Sequence, residues 1–167
     1  MSAPKRRLTV EDIARVLTLS SGAADPLPVY QAVDALVRDT VGYKLLTVFR
    51  PVQDAPELER IYSSDMQAYP VGGRKRLGSI NRDPELARRG EIFLAADAHE
   101  VKRTYPDQAL LASLGIGAIL NVPIRHAGRW LGTLNCCGEE NGYGADEIAA
   151  ARVLANLLAP VLLTHAR

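Results

Sequence analysis

Asn121 and Asn135 stand where the sequence most clearly invites chemistry. Each sits inside an otherwise apolar run: Ile116–Ile124 reads Ile-Gly-Ala-Ile-Leu-Asn-Val-Pro-Ile, and Trp130–Cys137 reads Trp-Leu-Gly-Thr-Leu-Asn-Cys-Cys. A side-chain amide in an apolar strand must find hydrogen-bond partners or cost a few kcal/mol. Two outcomes are open. The amides orient a small polar ligand with their donors and acceptors, or they satisfy each other across the strands. A second feature is the segment Tyr69–Arg76, which joins an aromatic ring, Gly72-Gly73 and three cations. Arg74 or Arg76 could grip a carboxylate or phosphate with two parallel hydrogen bonds; the alternative is a solvated loop. Gly72-Gly73 lacks the strand–loop–helix context of a phosphate-binding loop. The third feature is the pair Cys136-Cys137, either a redox pair or two small buried hydrophobes.

The elements that must position these residues follow from periodicity. The two apolar runs read as antiparallel strands joined by the tight connection Arg125–Arg129. Alternation groups Leu131, Thr133, Asn135 and Cys137 on one face, and Gly117, Ile119, Asn121 and Pro123 on one face. Cys136 and Cys137 therefore look to opposite sides. Upstream, Thr9 with Asp12 caps a helix from Val10. A second helix opens at Pro26 or Pro28 and ends near Gly42. Tyr43–Arg50 and Leu58–Ser64 form a strand pair across the turn Pro51–Pro56. The middle, Asp65–Arg89, is irregular, and Tyr69–Arg76 is too punctuated by Gly and Pro for a regular element. A short helix within Asn81–Arg89, the strand Glu91–Ala95 and helical pieces before Gly115 follow. The last element is a long helix, Ala145–Ala166, with Pro160 as a kink and an apolar surface wider than one core-facing stripe.

The bulk numbers bound the class. The 167 residues fit one domain, divided as a disordered basic tail at 1–8 and a folded unit at 9–167. Hydrophobic residues make up 47% and charged residues 23%, with a net charge of +1, so no global field favours nucleic acid or a membrane surface. No signal peptide or uninterrupted spanning segment is evident. Two adjacent cysteines cannot staple distant segments, which points to a reducing, cytoplasmic location.

The element order, Asn121-Val-Pro-Ile124, Gly128, Leu131-Gly-Thr-Leu-Asn135, Tyr143-Gly-Ala-Asp-Glu147 and Gly90–Asp97 together resemble the GAF domain family. The resemblance implies an α+β fold: an antiparallel sheet with the terminal helices on one face and a ligand pocket on the other, roofed by the irregular middle. It implies a small-molecule-binding sensory module acting through a separate partner. The ligand is a small organic molecule, anionic if the roof cations grip it, and no cofactor or metal is called for. Ligand-binding candidates are Tyr69, Arg74, Arg76, Asn121, Thr133, Asn135 and Cys137. The first and last helices are expected to build a homodimer. The alternative is a small redox enzyme or sensor using Cys137, since the family includes a free methionine sulfoxide reductase. That enzyme's middle-segment cysteines have no counterpart in residues 65–115 here.

Overall fold

The computed structural model describes residues 4–164. Six strands form one antiparallel sheet in the order β3-β2-β1-β6-β5-β4. Their ranges are β1 Leu45–Pro51, β2 Glu57–Ser63, β3 Arg74–Arg76, β4 Phe93–Ala95, β5 Ala118–His126 and β6 Arg129–Gly138. The helices are α1 Val10–Gly22, α2 Leu27–Thr40, α3 Leu86–Arg89, α4 Ala98–Thr104, α5 Gln108–Ser113, α6 Ala145–Leu157 and α7 Ala159–Thr164. The β5–β6 hairpin is the one its apolar runs predict, and Gly128 at φ +76° takes the left-handed turn position that a side chain resists.

Alternation divides the central strands between two cores. Leu46 and Val48 of β1, Leu120, Val122 and Ile124 of β5, and Leu134 and Cys136 of β6 pack with Val29, Val33 and Val37 of α2 and with Leu154 and Ala155 of α6. Each fully buried Val or Leu of this set contributes about 1.5–3 kcal/mol. The opposite face carries Leu45, Ile119 and Cys137, which cluster with Tyr69, Val101, Tyr105 and Leu111 from the covering segments. With both faces covered, β1, β5 and β6 read as nearly continuous apolar runs.

Three elements depart from expectation. Tyr69–Arg76 does contain a strand: β3 pairs with β2 through Glu57↔Arg76, Leu58↔Lys75 and Glu59↔Arg74, because an edge strand needs only three residues and one partner. The strand expected over Glu91–Ala95 is confined to Phe93–Ala95. The long terminal helix is broken at Leu158, and Pro160 falls in the first turn of α7, where its missing N–H costs nothing. The stretch Ala145–Thr164 is apolar and long enough to cross a bilayer by composition, yet Ala151, Leu154, Ala155, Leu157 and Leu158 all pack into the helix-side core.

The basic N-terminal segment, expected as a disordered tail, is held to the fold at Lys5 and Arg6; its residues 1–3 lie outside the described residues. Lys5 Nζ donates to the Gly142 carbonyl at 2.7 Å and to Glu147 at 3.1 Å. Arg6 grips buried Asp12 with two hydrogen bonds, 2.7 and 3.2 Å, while Asp12 also accepts from the Thr9 N–H at 3.0 Å and completes the cap of α1. Hydrogen bonding from Arg6 holds the Asp12 carboxyl well below the usual carboxylate range. A carboxyl lowered in the folded state contributes stability that is present above its unfolded pKa and lost as pH falls. Asp12→Ala is expected to cost about 1–3 kcal/mol at pH 7. The gap to the parent, read from thermal melts, should be full above about pH 4 and narrow below it.

Candidate functional site

Between the sheet and its covering segments lies a cavity of about 250 Å³. Its floor is Leu45, Thr47, Phe49, Ile119, Asn121, Asn135 and Cys137, and its roof comes from Tyr69, Ser79, Ile80, Tyr105 and Leu111. The floor residues of β5 and β6 come from the two sets that alternation grouped, and the ladder brings those sets onto one face, with Asn121 directly opposite Asn135.

The two amides satisfy each other. Tyr105 Oη donates to Asn121 Oδ1 at 2.7 Å, Asn121 Nδ2 donates to Asn135 Oδ1 at 2.6 Å, and Asn135 Nδ2 donates to Thr47 Oγ1 at 3.2 Å. This chain runs from the roof across three strands. Each amide has two N–H donors and the chain uses one from each. Tyr69 Oη donates to Asp107 at 2.7 Å, which fastens the start of the roof to the residue before α5. Burial, then the carboxylate contact, raises the Tyr69 phenol well above its ordinary range.

The cations were harder to place from sequence. Of the three in the Tyr69–Arg76 segment, Lys75 shares the cavity-side register with Leu58, and its Nζ lies 4.1 Å from the centroid of the Phe49 ring. Arg74 and Arg76, the expected grips, flank it on the alternate positions. Arg74 reaches the cavity rim but pairs with Glu57 at 3.5 Å, and exposed Arg76 lines only a smaller adjoining chamber of about 30 Å³. Thr133 also lines that smaller chamber, where it accepts from Trp130 Nε1 at 3.2 Å.

The residue that sequence reasoning missed is Arg60. In a regular ladder Phe49 would oppose Ile61; instead a bulge between Val48 and Phe49 places Tyr62 opposite Val48 and Arg60 opposite Phe49. Ile61 is the extra residue, so Tyr62 stays on the helix side, stacked on Tyr30 at 5.5 Å, while Arg60 turns into the cavity. There its guanidinium lies 4.9 Å from the Phe49 centroid and 5.0 Å from that of Tyr69, and it donates to the Pro70 carbonyl at 2.9 Å. A Cβ at Gly73 would come within 2.6 Å of this guanidinium, so the glycine admits the arginine. The Gly72-Gly73 pair thus serves a side chain, and its amide and carbonyl bracket the Arg60 backbone at 2.8 Å.

Cys137 lines the cavity and Cys136 sits in the helix-side core; both are free thiols. Burial pushes the Cys137 thiol up to about 12, although Lys75 opposes the shift. Redox and nucleophilic chemistry need a thiolate, which a lowered pKa supplies, so this thiol is set in the unreactive direction. Among the described residues no group of three or more His, Cys, Asp and Glu could hold a metal ion.

Burial first, then Arg82 and Arg60, draws the Lys75 ammonium down from the ordinary 10.5 to about 8, with Cys137 and Asp107 opposing. A lysine lowered in the folded state destabilises it fully below that value, and stability recovers as pH rises towards the unfolded pKa. Lys75→Met should therefore be more stable than the parent at pH 7 by about 1–3 kcal/mol, or roughly 2–8 °C in Tm. Melts taken from pH 7 to pH 10 should show the difference shrinking above about pH 8; a variant less stable at pH 7 would refute this account of the lysine.

Comparison with known proteins places this architecture. The GAF domain family model matches residues 25–162. The fold is similar to the GAF domain of a phosphoenolpyruvate-protein phosphotransferase (ptsP) from Coxiella burnetii, with a TM-score of 0.74 and 20% identity over 95% of this chain and 94% of that one. It is also similar to the GAF domain of a two-component sensor histidine kinase from Bacillus halodurans, with a TM-score of 0.69 and 14% identity over 86% of this chain and 97% of that one. A third likeness is the chromophore-binding domain of the bacteriophytochrome RpBphP3 from R. palustris, with a TM-score of 0.70 and 12% identity over 98% of this chain and 66% of that one. No curated protein matches the chain. The family model spans most of the sequence, and the fold is similar to solved GAF domains: the chain belongs to the GAF domain family.

Proposed function

We propose that this GAF domain is a sensory module that binds a small organic molecule in the cavity between the β1–β6–β5 floor and the roof, and signals through a separate partner in the cytoplasm. The observation that carries this reading is the roofed cavity of about 250 Å³, with an apolar wall and a few convergent polar groups, which is the usual composition of a ligand site. The roof is held largely by side chains that also line the cavity: Tyr105 on Asn121 and Tyr69 on Asp107. A ligand that contacts these side chains biases the arrangement of residues 65–107, and a partner reads that arrangement. The family membership supports a sensory role, and the structural neighbours named for signalling proteins support it further.

The module acts as a homodimer through α1 and the α6–α7 region. Exposed Val10 and Leu17 on α1, with Val153 and Leu163 on α6 and α7, supply apolar surface outside the core.

Native mass spectrometry of the purified protein tests both parts. A bound small molecule, released on denaturation, is the expected result for the cavity. An unliganded chain that no member of a metabolite panel stabilises in thermal melts refutes the cavity reading. The same spectrum should show two copies at micromolar concentration. Leu17→Glu combined with Val153→Glu should return the protein to one copy without lowering its melting temperature; a monomeric parent refutes the assembly.

A further inference from the structure

We infer that the cavity is a receptor for a small organic oxyanion, a carboxylate or phosphate on an apolar body, held by Arg60, Lys75 and Arg82. This rests on the cavity being a ligand site and names the chemistry of what enters it.

Three chain segments bring these cations together: Arg60 from β2, Lys75 from β3 and Arg82 from the loop that follows. Among the described residues none of the three has a carboxylate partner. Each rests on an aromatic face instead. Arg60 lies between Phe49 and Tyr69, Lys75 over Phe49 at 4.1 Å, and Arg82 over Phe93 at 4.9 Å. Two neighbouring arginines of the sheet, by contrast, are paired: Arg50 with Glu59 at 2.9 Å and Arg74 with Glu57 at 3.5 Å. Arg60 Nε is buried with no hydrogen-bond partner at all. A buried donor left unmade and three like charges sharing a low-dielectric space both oppose folding, and a bound oxyanion relieves both.

The charge balance of the walls agrees. Asp107 is the one carboxylate lining the larger cavity, and it already accepts from Tyr69. Lys75 lines both this cavity and the smaller chamber under Trp130, whose wall includes Arg82, so its ammonium stands at the junction between the two. Away from the cations the wall is Leu45, Leu111, Ile119 and Cys137, which suits an apolar body. The groups that act on Lys75 are the charged Arg82, Arg60 and Asp107 and the Cys137 thiol, and burial with the two arginines weakens its hold on the third positive charge near neutral pH. An oxyanion restores that proton, so binding takes up a proton between about pH 8 and pH 9.

The test is titration of the intact protein with benzoate, phenyl phosphate and the neutral benzamide, followed by backbone amide NMR. At least one of the two anions should shift the amides of Arg60, Lys75 and Asn121, and benzamide should bind at least about tenfold more weakly. Which anion binds tells carboxylate from phosphate. Lys75→Met should weaken the anion about tenfold, Lys75→Arg should retain it, and Arg82→Met, which leaves β3 intact, should weaken it in the same sense. Between pH 7 and pH 9 the parent should lose affinity while Lys75→Arg does not. Benzamide binding as tightly as the anions, with Lys75→Met and Arg82→Met unchanged, would overturn the oxyanion and leave the cavity as a site for neutral molecules. Shifts confined to exposed Arg88 and Arg129 would overturn it as surface ion binding. No shift in any cavity residue with any probe would overturn the oxyanion, and the native mass spectrum then decides separately whether the cavity holds something else.

Discussion

A sheet covered on both faces penalises every side-chain polar group left unpaired, and this constraint organises the cavity floor. Thr47, Asn135 and Asn121 lie on adjacent strands of the floor at matched register, so each can reach only its neighbour across the ladder. Tyr105 completes the row from above. The result is a polar line, buried at every member, that fixes strand register and ties the roof to the floor. Slipping β5 against β6 by one residue would turn Asn121 towards the helix-side core and put Leu120 or Val122 on the cavity side. The line therefore works as a specificity device for the fold, while its unused amide N–H groups remain available inside the cavity.

The second organising feature is the break in alternation at Ile61. One extra residue in β2 lets Tyr62 stack on α2 and Arg60 enter the cavity, although the two are separated by only one position. The helix side and the cavity side thus each receive the side chain they can use. Tyr62 donates to Asp34 at 2.5 Å, as Tyr43 also does, which locks β2 onto α2. Arg60 gains two aromatic faces and a carbonyl. Gly73, on the connection to β3, supplies the space.

How much of this was legible in the sequence depends on the length of each periodic signal. β5 and β6 are nine and ten residues long, so period-two spacing groups Asn135 with Cys137 on one strand and Ile119 with Asn121 on the other; that the two sets share a face is decided by the pairing. That the amides bond to one another is decided by register, which the residue types leave open. The segment Arg74–Arg76 is three residues between Gly73 and Gly78, too short for a period to appear, so the inward member could not be told from its two flanking arginines. Arg60 was hidden for a different reason: counting by twos from Tyr62 assigns it to the wrong face. Lys5 and Arg6 looked like a solvated tail because the groups that hold Lys5 lie 137 and 142 residues away, at the start of α6.

β3 has a second physical role that follows from its place. It is an open edge of the sheet, with β2 as its strand neighbour. Such an edge is a template for another chain, and aggregation through it is checked by shortness and by cationic side chains. Arg74-Lys75-Arg76 meets both conditions, since the strand is three residues long and every one is charged. Lys75 turns inward, which leaves Arg74 and Arg76 as the outward guard whatever fills the cavity. The same three residues thereby link ligand chemistry to colloidal behaviour: replacing the two flanking arginines with β-branched apolar residues would leave the cavity lysine in place and expose a sticky strand.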